Sequence, residues 1–580
     1  MFTLPDFGRS RPQTRDESTR RMHFNLANPL IVQGDGTLLL EVQNPRYEEA
    51  RDFLARFAEL EKSPEHMHTY RITALSLWNA AAAGLSADEI VAGLADLTKY
   101  ELPPNVGDDV REKIGRFGTV VLERSDDDEL HLHVHEDSVV RAIARTPKVH
   151  QLTAGAVRDG VFRIPLAHRG VIKQALLRLG YPVDDRAGFV AGTALDVRMR
   201  PTCLSGRAFG LRGYQRKAVD AWHKEGSWEG GHGVVVLPCG AGKTIVGIAT
   251  MAATSCQTLI LATGISSVRQ WIDEILDKTE LTEDDVGEYS GAAKEIRPVT
   301  VTTYQILTHR PSRDAPFTHL GLFSANDWGL IVYDEVHLLP APVFRITADI
   351  QARRRLGLTA TLVREDGREG DVFSLIGPKR YDVPWRELER KGFVAEAHCV
   401  EIRVPLADDL LLRYEGAETR HKIRLAAENP VKLELVAELL ERHRDDKVLI
   451  IGMYLDQLEA VARRFDAPLI TGKTRNDERD VLYERFRSGD IRVLTVSKVA
   501  NFSINLPDAN VAIQLSGTFG SRQEEAQRLG RILRPSGGDA HFYSVVTRGS
   551  REQEFAHNRQ LFLTEQGYSY SIEEWAPSAS

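Results

Sequence analysis

"VVVLPCGAGKTIVGIATMAATS", residues 234–255, passes from three valines through a glycine-rich loop into an apolar stretch of helical character. The valines suit a buried β-strand. Gly240, Ala241 and Gly242 carry little or no side chain, so their backbone N–H groups can wrap a polyphosphate. A helix beginning at Lys243 adds its positive dipole end, Lys243 itself reaches the outer phosphates, and Thr244 offers a hydroxyl to Mg²⁺. The strict GxxxxGK[ST] pattern is not met, because Leu237 stands at the first glycine position. The strand–loop–helix context nevertheless marks a nucleotide site, with Gly240, Ala241, Gly242, Lys243 and Thr244 as its contacts.

Outward from this loop the same rhythm recurs. "TLILATG" (258–264), "PVTVTTYQ" (298–305), "GLIVYDEVH" (329–337) and "RRLGLTAT" (354–361) read as short buried strands, with helical stretches such as "SSVRQWIDEILDK" (266–278) between them. That alternation predicts a doubly wound parallel sheet. It repeats with "KVLIIGM", "APLITG", "IRVLTVSK", "ANVAIQLS" and "HFYSVV" between residues 447 and 546, so two α/β domains in tandem are expected. Asp334 and Glu335 stand at the tip of one strand, where ligands bind in this fold class. There Asp334 would hold Mg²⁺ and Glu335 would orient or deprotonate an attacking water. In "EEAQRLGRILRP" (524–535), Gln527, Arg531 and Arg534 are spaced four and three apart and share one helix face. Arginines delivered from a second domain to a γ-phosphate stabilise transition-state charge. Together these residues imply ATP hydrolysis with Mg²⁺.

The first ~200 residues follow another pattern. "TYRITALSLWNAAAAG" (69–84) is helical up to Gly84, and "LSADEI" (85–90) places Ser86 and Glu89 in capping-box spacing. "TVVLERSDDDELHLHVHED" (119–137) reads as a hairpin around an acidic turn, and helices before a hairpin suggest a winged-helix-like module. His131, His133 and His135 would share one strand face, either as a solvated face opposite Leu132 and Val134 or as converging metal ligands. "LAHRGVIKQALLRLGYPVDD" (166–185) predicts an amphipathic helix ending at Gly180, and "GFVAGTALDVRM" (188–199) alternates like a strand. The expected units are residues 1–150, 151–204, 205–392 and 393–580.

Bulk properties set limits. A chain of 580 residues is too long for one core. The formal net charge of −8 supplies no global attraction to nucleic acid, so DNA contacts must come from local patches. Cys203, Cys239, Cys256 and Cys399 form no CxxC pair, which argues against a zinc ribbon or iron–sulfur cluster and fits a reducing compartment. No apolar run suits a membrane span, and the N-terminal arm, with five arginines and three acids in residues 1–21, has no apolar leader core. A cytoplasmic protein with no membrane partner is expected.

GAGKT, DEVH, TAT and QRLGRILR, in this order across two α/β domains, resemble the superfamily 2 helicases. "RGYQ" before the phosphate loop matches that superfamily's adenine-side motif through Arg212 and Gln215. "RED" (Arg364, Glu365, Asp366) after TAT, with "SKVANFSINLPDANVAIQLS" and "SRQEEAQRLGRILRP", narrows the likeness to the XPB/Ssl2 helicases in their bacterial form. The resemblance covers about residues 205–560 and extends more weakly to the N-terminal region. It implies two RecA-like motor domains behind small α+β accessory domains, the second accessory unit corresponding to a damage-recognition domain. His337, Thr359 and Thr361 would couple nucleotide state to strand binding, with Arg364, Glu365 and Asp366 serving unwinding. Thr263, Ser267, Thr302, Thr303 and Ser503 would contact the DNA backbone, and residues 405–430 would form a thumb-like insertion whose Arg420, Lys422 and Arg424 meet DNA. The motif around residue 500 departs from the family, with Asn501 and Asn505 where acids are usual and Ala500 where glycine is frequent.

The resemblance implies an ATP- and Mg²⁺-dependent 3′–5′ DNA helicase in DNA repair, a monomer at the nucleoid acting on single-stranded and forked DNA, with a repair nuclease as a conceivable partner. Two other readings stay open: a duplex translocase that does not separate strands, and a damage-binding or scaffold protein switched by ATP.

Overall fold

The structure, a computed structural model, describes residues 25–64, 66–125, 129–227, 229–238, 241–312, 315, 317–350, 353–360, 369–383, 388, 397–497, 509–516, 540–565 and 568–576. Both expected parallel sheets are present, each with seven strands. In the first the strand order is Val286–Tyr289, Val299–Thr303, Thr258–Ala262, Leu330–Asp334, Arg354–Thr359, His232–Val236, Lys379–Asp382. In the second it is Leu469–Ile470, Val493–Ser497, Val448–Gly452, Val511–Gln514, Ala540–Thr547, Ala397–Val404, Ser569–Glu574.

Continuous apolar runs are what a parallel sheet covered on both faces requires. Along Leu330–Asp334, Leu330 and Val332 pack into one core while Ile331 and Tyr333 pack into another on the opposite face. The helices Lys243–Thr254 and Ile265–Lys278 supply the layer facing Leu330 through Val246, Ile248, Val268 and Trp271. The register places Val236 beside Thr359 and Asp334 beside Leu358. Three neighbouring strands therefore deliver the phosphate loop, Thr359 and Asp334 to one edge of the sheet.

The accessory region divides differently from the expected boundary at residue 150. A four-stranded antiparallel sheet, with helices reaching Arg116, forms the first unit. Ser86 and Glu89 make the expected reciprocal cap at the start of Ala87–Leu97. The hairpin Val120–Arg124/Leu130–Val134 does not join these helices in a winged-helix arrangement. It belongs to a five-stranded sheet with Ala154–Arg158, Val161–Ile164 and Val183–Asp185. The reason is burial: Leu130, Leu132 and Val134 need a covering layer, and Ile172 and Leu176 of helix Arg169–Arg178 provide it. His131 and His133 lie half-buried on the other face, His133 Nε2 being 3.7 Å from Glu123 Oε2. Among the described residues no cluster of three ligating side chains could hold a metal, which favours the solvated-face reading.

Residues 188–199 form no regular strand. Their backbone makes isolated bridges to the first parallel-sheet unit, Ala194 with Cys256 and Met199 with Thr279. Thr193 N donates to Asp327 O and Leu195 N to Ser255 O, so loop carbonyls of that unit replace a sheet ladder. Among the described residues no helix is long and apolar enough to cross a membrane.

Candidate nucleotide and DNA site

The phosphate loop turns at Gly242, whose φ of 80° and ψ of 48° are left-handed. Glycine is required there twice over, since a Cβ would also come within 2.6 Å of Gln215 Nε2. The helix then starts at Lys243 as expected. The loop is held from outside by the helix Gly213–His223: Tyr214 OH donates to Ala241 O at 2.6 Å and Gln215 Nε2 to the same oxygen at 3.1 Å. Arg212 N donates to Gln215 Oε1, fixing that amide from behind. Gln215 is thus a fastener of the loop backbone, and Tyr214, the third residue of RGYQ, shares the task.

Across the loop, Lys243 Nζ lies 3.4 Å from Glu335 Oε1, with both side chains about nine-tenths enclosed. Glu335 is held in the left-handed region at φ 47°, an uncommon conformation that swings its carboxylate off the strand direction. His337 Nδ1 is 3.6 Å from Glu335 Oε2 and 2.6 Å from Thr359 Oγ1. A polar chain therefore joins the candidate base to the strand of the TAT sequence, as the coupling role expected of His337 and Thr359 would need.

Asp334 is gripped from a different direction. Trp271 Nε1 donates to its Oδ2 at 3.0 Å and Ser267 Oγ to the same oxygen at 3.3 Å, while Tyr304 OH donates to its backbone carbonyl. Burial, then repulsion from Glu335, pushes the Asp334 carboxyl up to about 6, against the pull of Trp271, Lys243 and Ser267. Two acids facing one lysine in a sheltered cleft leave an excess negative charge. A hard divalent cation with oxygen ligands suits that donor set, with the Asp334 carboxylate and the Thr244 hydroxyl as the groups that would hold Mg²⁺.

Comparisons with known proteins give this geometry a lineage. Residues 208–364 match the family described as type III restriction enzyme, res subunit; residues 388–577 match the ERCC3/RAD25/XPB C-terminal helicase family; and residues 30–157 match a helicase conserved C-terminal domain family. The chain is 53% identical over 546 residues to DNA 3′-5′ helicase XPB of Kineococcus radiotolerans, covering 94% of this chain and 96% of that protein. The chain belongs to the XPB helicase family. The XPB of Mycobacterium tuberculosis is 50% identical over 548 residues, covering 94% of this chain and 98% of that protein. A eukaryotic XPB, the general transcription and DNA repair factor IIH helicase/translocase subunit of Encephalitozoon cuniculi, is 32% identical over 564 residues, covering 94% and 83%.

The hydroxyls expected on DNA in this XPB chain are placed unevenly. Thr263 is half-buried at the end of its strand, and Ser267 is engaged with Asp334. Thr302 is fully buried, and Thr303 turns its Oγ1 inward to accept from Ile306 N. In the thumb-like segment, helices Asp408–Glu415 and Thr419–Ala427 stand between the strand Ala397–Val404 and the helix Val431–Arg442. Arg424 there is paired with Glu428 and Asp456, and Lys422 lies over the Tyr414 ring. Gly240, Thr361, Arg364, Glu365, Asp366, Ala500, Asn501, Ser503, Asn505, Gln527, Arg531 and Arg534 lie outside the described residues.

Trp271 is the site residue that sequence patterns miss. Its indole is buried, and the only polar atom it carries is spent on Asp334. Trp271→Phe is expected to raise the Mg²⁺ concentration for half-maximal ATPase activity by ~10–100-fold, the usual cost of losing a bond that orients a metal-binding carboxylate. A Mg²⁺ titration of the variant checks this, and an unshifted midpoint would reduce Trp271 to core packing.

Proposed function

We propose that this protein is an ATP- and Mg²⁺-driven DNA helicase/translocase, moving 3′ to 5′ and serving DNA repair. The observation that carries the reading is the convergence of Lys243, Asp334 and Glu335 at one sheet edge, roofed by the polar chain through His337 to Thr359. The relatives' names supply the substrate, the polarity and the repair setting.

In this reading the first parallel-sheet unit binds ATP, with Arg212 and Gln215 on the adenine side and residues 240–244 around the phosphates. Gln527, Arg531 and Arg534 arrive from the second unit to stabilise charge developing on the γ-phosphate, so binding draws the two units together and hydrolysis lets them part. Thr263, Ser267, Thr302, Thr303 and Ser503 line the track of a DNA strand, contacting phosphates without reading sequence. Because Ser267, Thr302 and Thr303 are engaged or buried, strand binding requires the helix start at Ser267 and the strand end at Thr302 and Thr303 to rearrange, which ties DNA to the carboxylate beside Ser267. A chain that carries its own arginines works as a monomer, on single-stranded and forked DNA in the cytoplasm at the nucleoid.

Arg364, Glu365 and Asp366 distinguish a helicase from a bare ATPase or a duplex translocase. A triplet with both charge signs can pair with another domain or wedge at a duplex end. Replacing all three with alanine is expected to reduce strand separation on a 3′-tailed duplex far more than basal ATP hydrolysis. Equal loss of both would show that the triplet supports only the fold. Lys243→Ala serves as the motor-dead control. Failure of the intact protein to unwind that duplex with ATP and Mg²⁺ would sink the helicase reading.

A further inference from the structure

The first accessory unit touches both parallel-sheet units. Its helix Ala74–Ala82 packs against the strand Lys379–Asp382, which closes one edge of the first parallel sheet. An edge strand leaves backbone groups without a ladder partner, and a side chain fills the gap here. Lys379 N donates to Asn79 Oδ1 at 2.9 Å, and Lys379 Nζ donates to Ala55 O at 3.1 Å. On another side the edge strand Glu59–Lys62 of the accessory sheet packs against the helix Glu552–Glu565. That helix lies on the strands Ala540–Thr547 and Ser569–Glu574, and so belongs to the second parallel-sheet unit. Gln560 Nε2 donates to Ser63 O, with Gln560 5% and Ser63 1% exposed.

One short strand therefore reaches from one parallel-sheet unit to the other. At its start, burial pushes the Glu59 carboxyl up against a hydrogen bond from Thr73, and the charges of Glu369 and Lys379 reach it from the first unit. Ser63, just past its end, meets the second unit. The two ends are built differently. On the first, Asn79 spends its oxygen on Lys379 N and its nitrogen on Leu75 O, and Lys379 Nζ also donates to Asp382. On the second, the Ser63 hydroxyl is buried with no hydrogen-bond partner among the described residues. A buried hydroxyl left unpaired is costly, and water satisfies it once the surfaces part. The contact with the second unit is thus the one that separates more readily.

We propose that the first accessory unit is a brace across the two parallel-sheet units, anchored on the first at Asn79 and Lys379 and latched to the second through Ser63 and Gln560. The latch opens when ATP draws the two units together, so the inference rests on the motor reading above. A body docked on both units cannot keep both contacts once their relative position changes. While shut, the latch opposes that change and restrains ATP turnover. A DNA strand held by both units supplies the free energy that opens it, because a ligand shifts such an equilibrium by its differential affinity for the two states.

The test is steady-state ATP hydrolysis by the full chain with and without a 3′-tailed duplex. Gln560→Met, which keeps an unbranched side chain and removes the donor, is expected to raise DNA-independent turnover about 2–10-fold, the factor that one buried hydrogen bond supplies. With saturating DNA its rate should stay within about twofold of wild type. Cutting the anchor with Asn79→Leu and Lys379→Met together should reproduce the effect. Because anchor and latch act in series, combining all three changes should add nothing further, whereas independent local damage would multiply. Wild-type rates without DNA in both variants, or multiplying effects, overturn the proposal. Hydrogen exchange of the unaltered chain gives a reading that needs no variant to fold. Residues 59–63 and the helix Glu552–Glu565 should exchange faster once a non-hydrolysable ATP analogue and Mg²⁺ are added. Unchanged exchange there, with exchange slowed at the phosphate loop, overturns the brace and leaves the motor reading standing. An intact chain that hydrolyses no ATP overturns the motor reading, and the brace with it.

Discussion

Glu335→Gln is expected to lower the turnover number for ATP hydrolysis by ~10²–10⁴-fold, the range typical of losing a positioned general base, while ATP binding changes by only a few fold. Glutamine keeps the shape of the side chain and can still accept from Lys243, which sits 3.4 Å from Oε1. It cannot take a proton from water. The left-handed backbone at residue 335 is set by the strand end and the short helical turn Val336–Leu338, so the amide should occupy the same place. A second consequence follows at Asp334, whose carboxyl is raised to about 6 partly by the neighbouring Glu335 charge. A carboxyl raised in the folded state contributes stability below its unfolded value, and that contribution is lost as pH rises through the folded value. Without nucleotide or metal, the wild-type protein should therefore lose stability between about pH 4 and 6 from this group. Glu335→Gln should flatten that loss, because removing a like charge lowers the Asp334 value. Steady-state ATPase rates and melting temperatures across pH 4–8 check both parts. A rate within tenfold of wild type would remove Glu335 from the chemistry.

The parts of this site that could be read in the sequence are those whose physics is local. A strand, a glycine loop and a helix start are adjacent in the chain, so "GAGKT" announces its own backbone geometry, and Gly242 has the positive φ that reading needs. The Ser86–Glu89 cap was legible for the same reason, since both bonds close within one helical turn. What escaped depends on distance along the chain. Trp271 meets Asp334 across 63 residues with no motif to announce it, and Tyr214, although it stands within RGYQ, meets Ala241 across 27. The hairpin at 120–134 was legible as a hairpin, but its assignment to the first unit failed because Val120–Leu122 pairs with Val183–Asp185. Alternation in residues 188–199 was real, yet alternation fixes which way side chains face and does not fix who receives the backbone bonds. The Thr302 and Thr303 hydroxyls show the same limit: strand propensity and DNA contact both favour threonine, and only burial separates them.

Asp185→Asn is expected to destabilise the junction between the accessory sheet and the first parallel-sheet unit by ~3–5 kcal/mol, the usual cost of stranding buried charge. Asp185 Oδ1 accepts from Arg169 Nη2 at 2.8 Å, and Oδ2 accepts from Arg169 Nε at 3.1 Å and Lys173 Nζ at 2.7 Å. All three side chains are at least nine-tenths buried, and Arg355, also buried, adds positive charge nearby. The two cations hold the Asp185 carboxyl well below the ordinary range even though burial pushes it up. A depressed carboxyl contributes stability above its unfolded value and loses it only as pH falls through the folded value, so the contribution is complete at pH 7. Asparagine keeps the shape and offers one oxygen, but it cannot balance charge. Lys173, already brought down to about 7, can shed its proton in the variant, whereas the arginines stay charged. The unfolded chain keeps the lysine proton to about pH 10, so stability from this group rises with pH above the folded value. Removing Asp185 lowers the Lys173 value further, so the variant sheds that proton at lower pH than the wild type. The deficit of Asp185→Asn should therefore shrink as pH rises from about 5 to 7 and level off above, and adding Lys173→Met should recover part of it at pH 7. Asp184→Asn, one residue away, removes a pair with the partly exposed Arg186 and should cost less than about 1 kcal/mol. Denaturant unfolding of these variants at about pH 5 and 7 tests the contrast. Equal, pH-independent losses for Asp184→Asn and Asp185→Asn would show that packing, and not buried charge, holds this junction together.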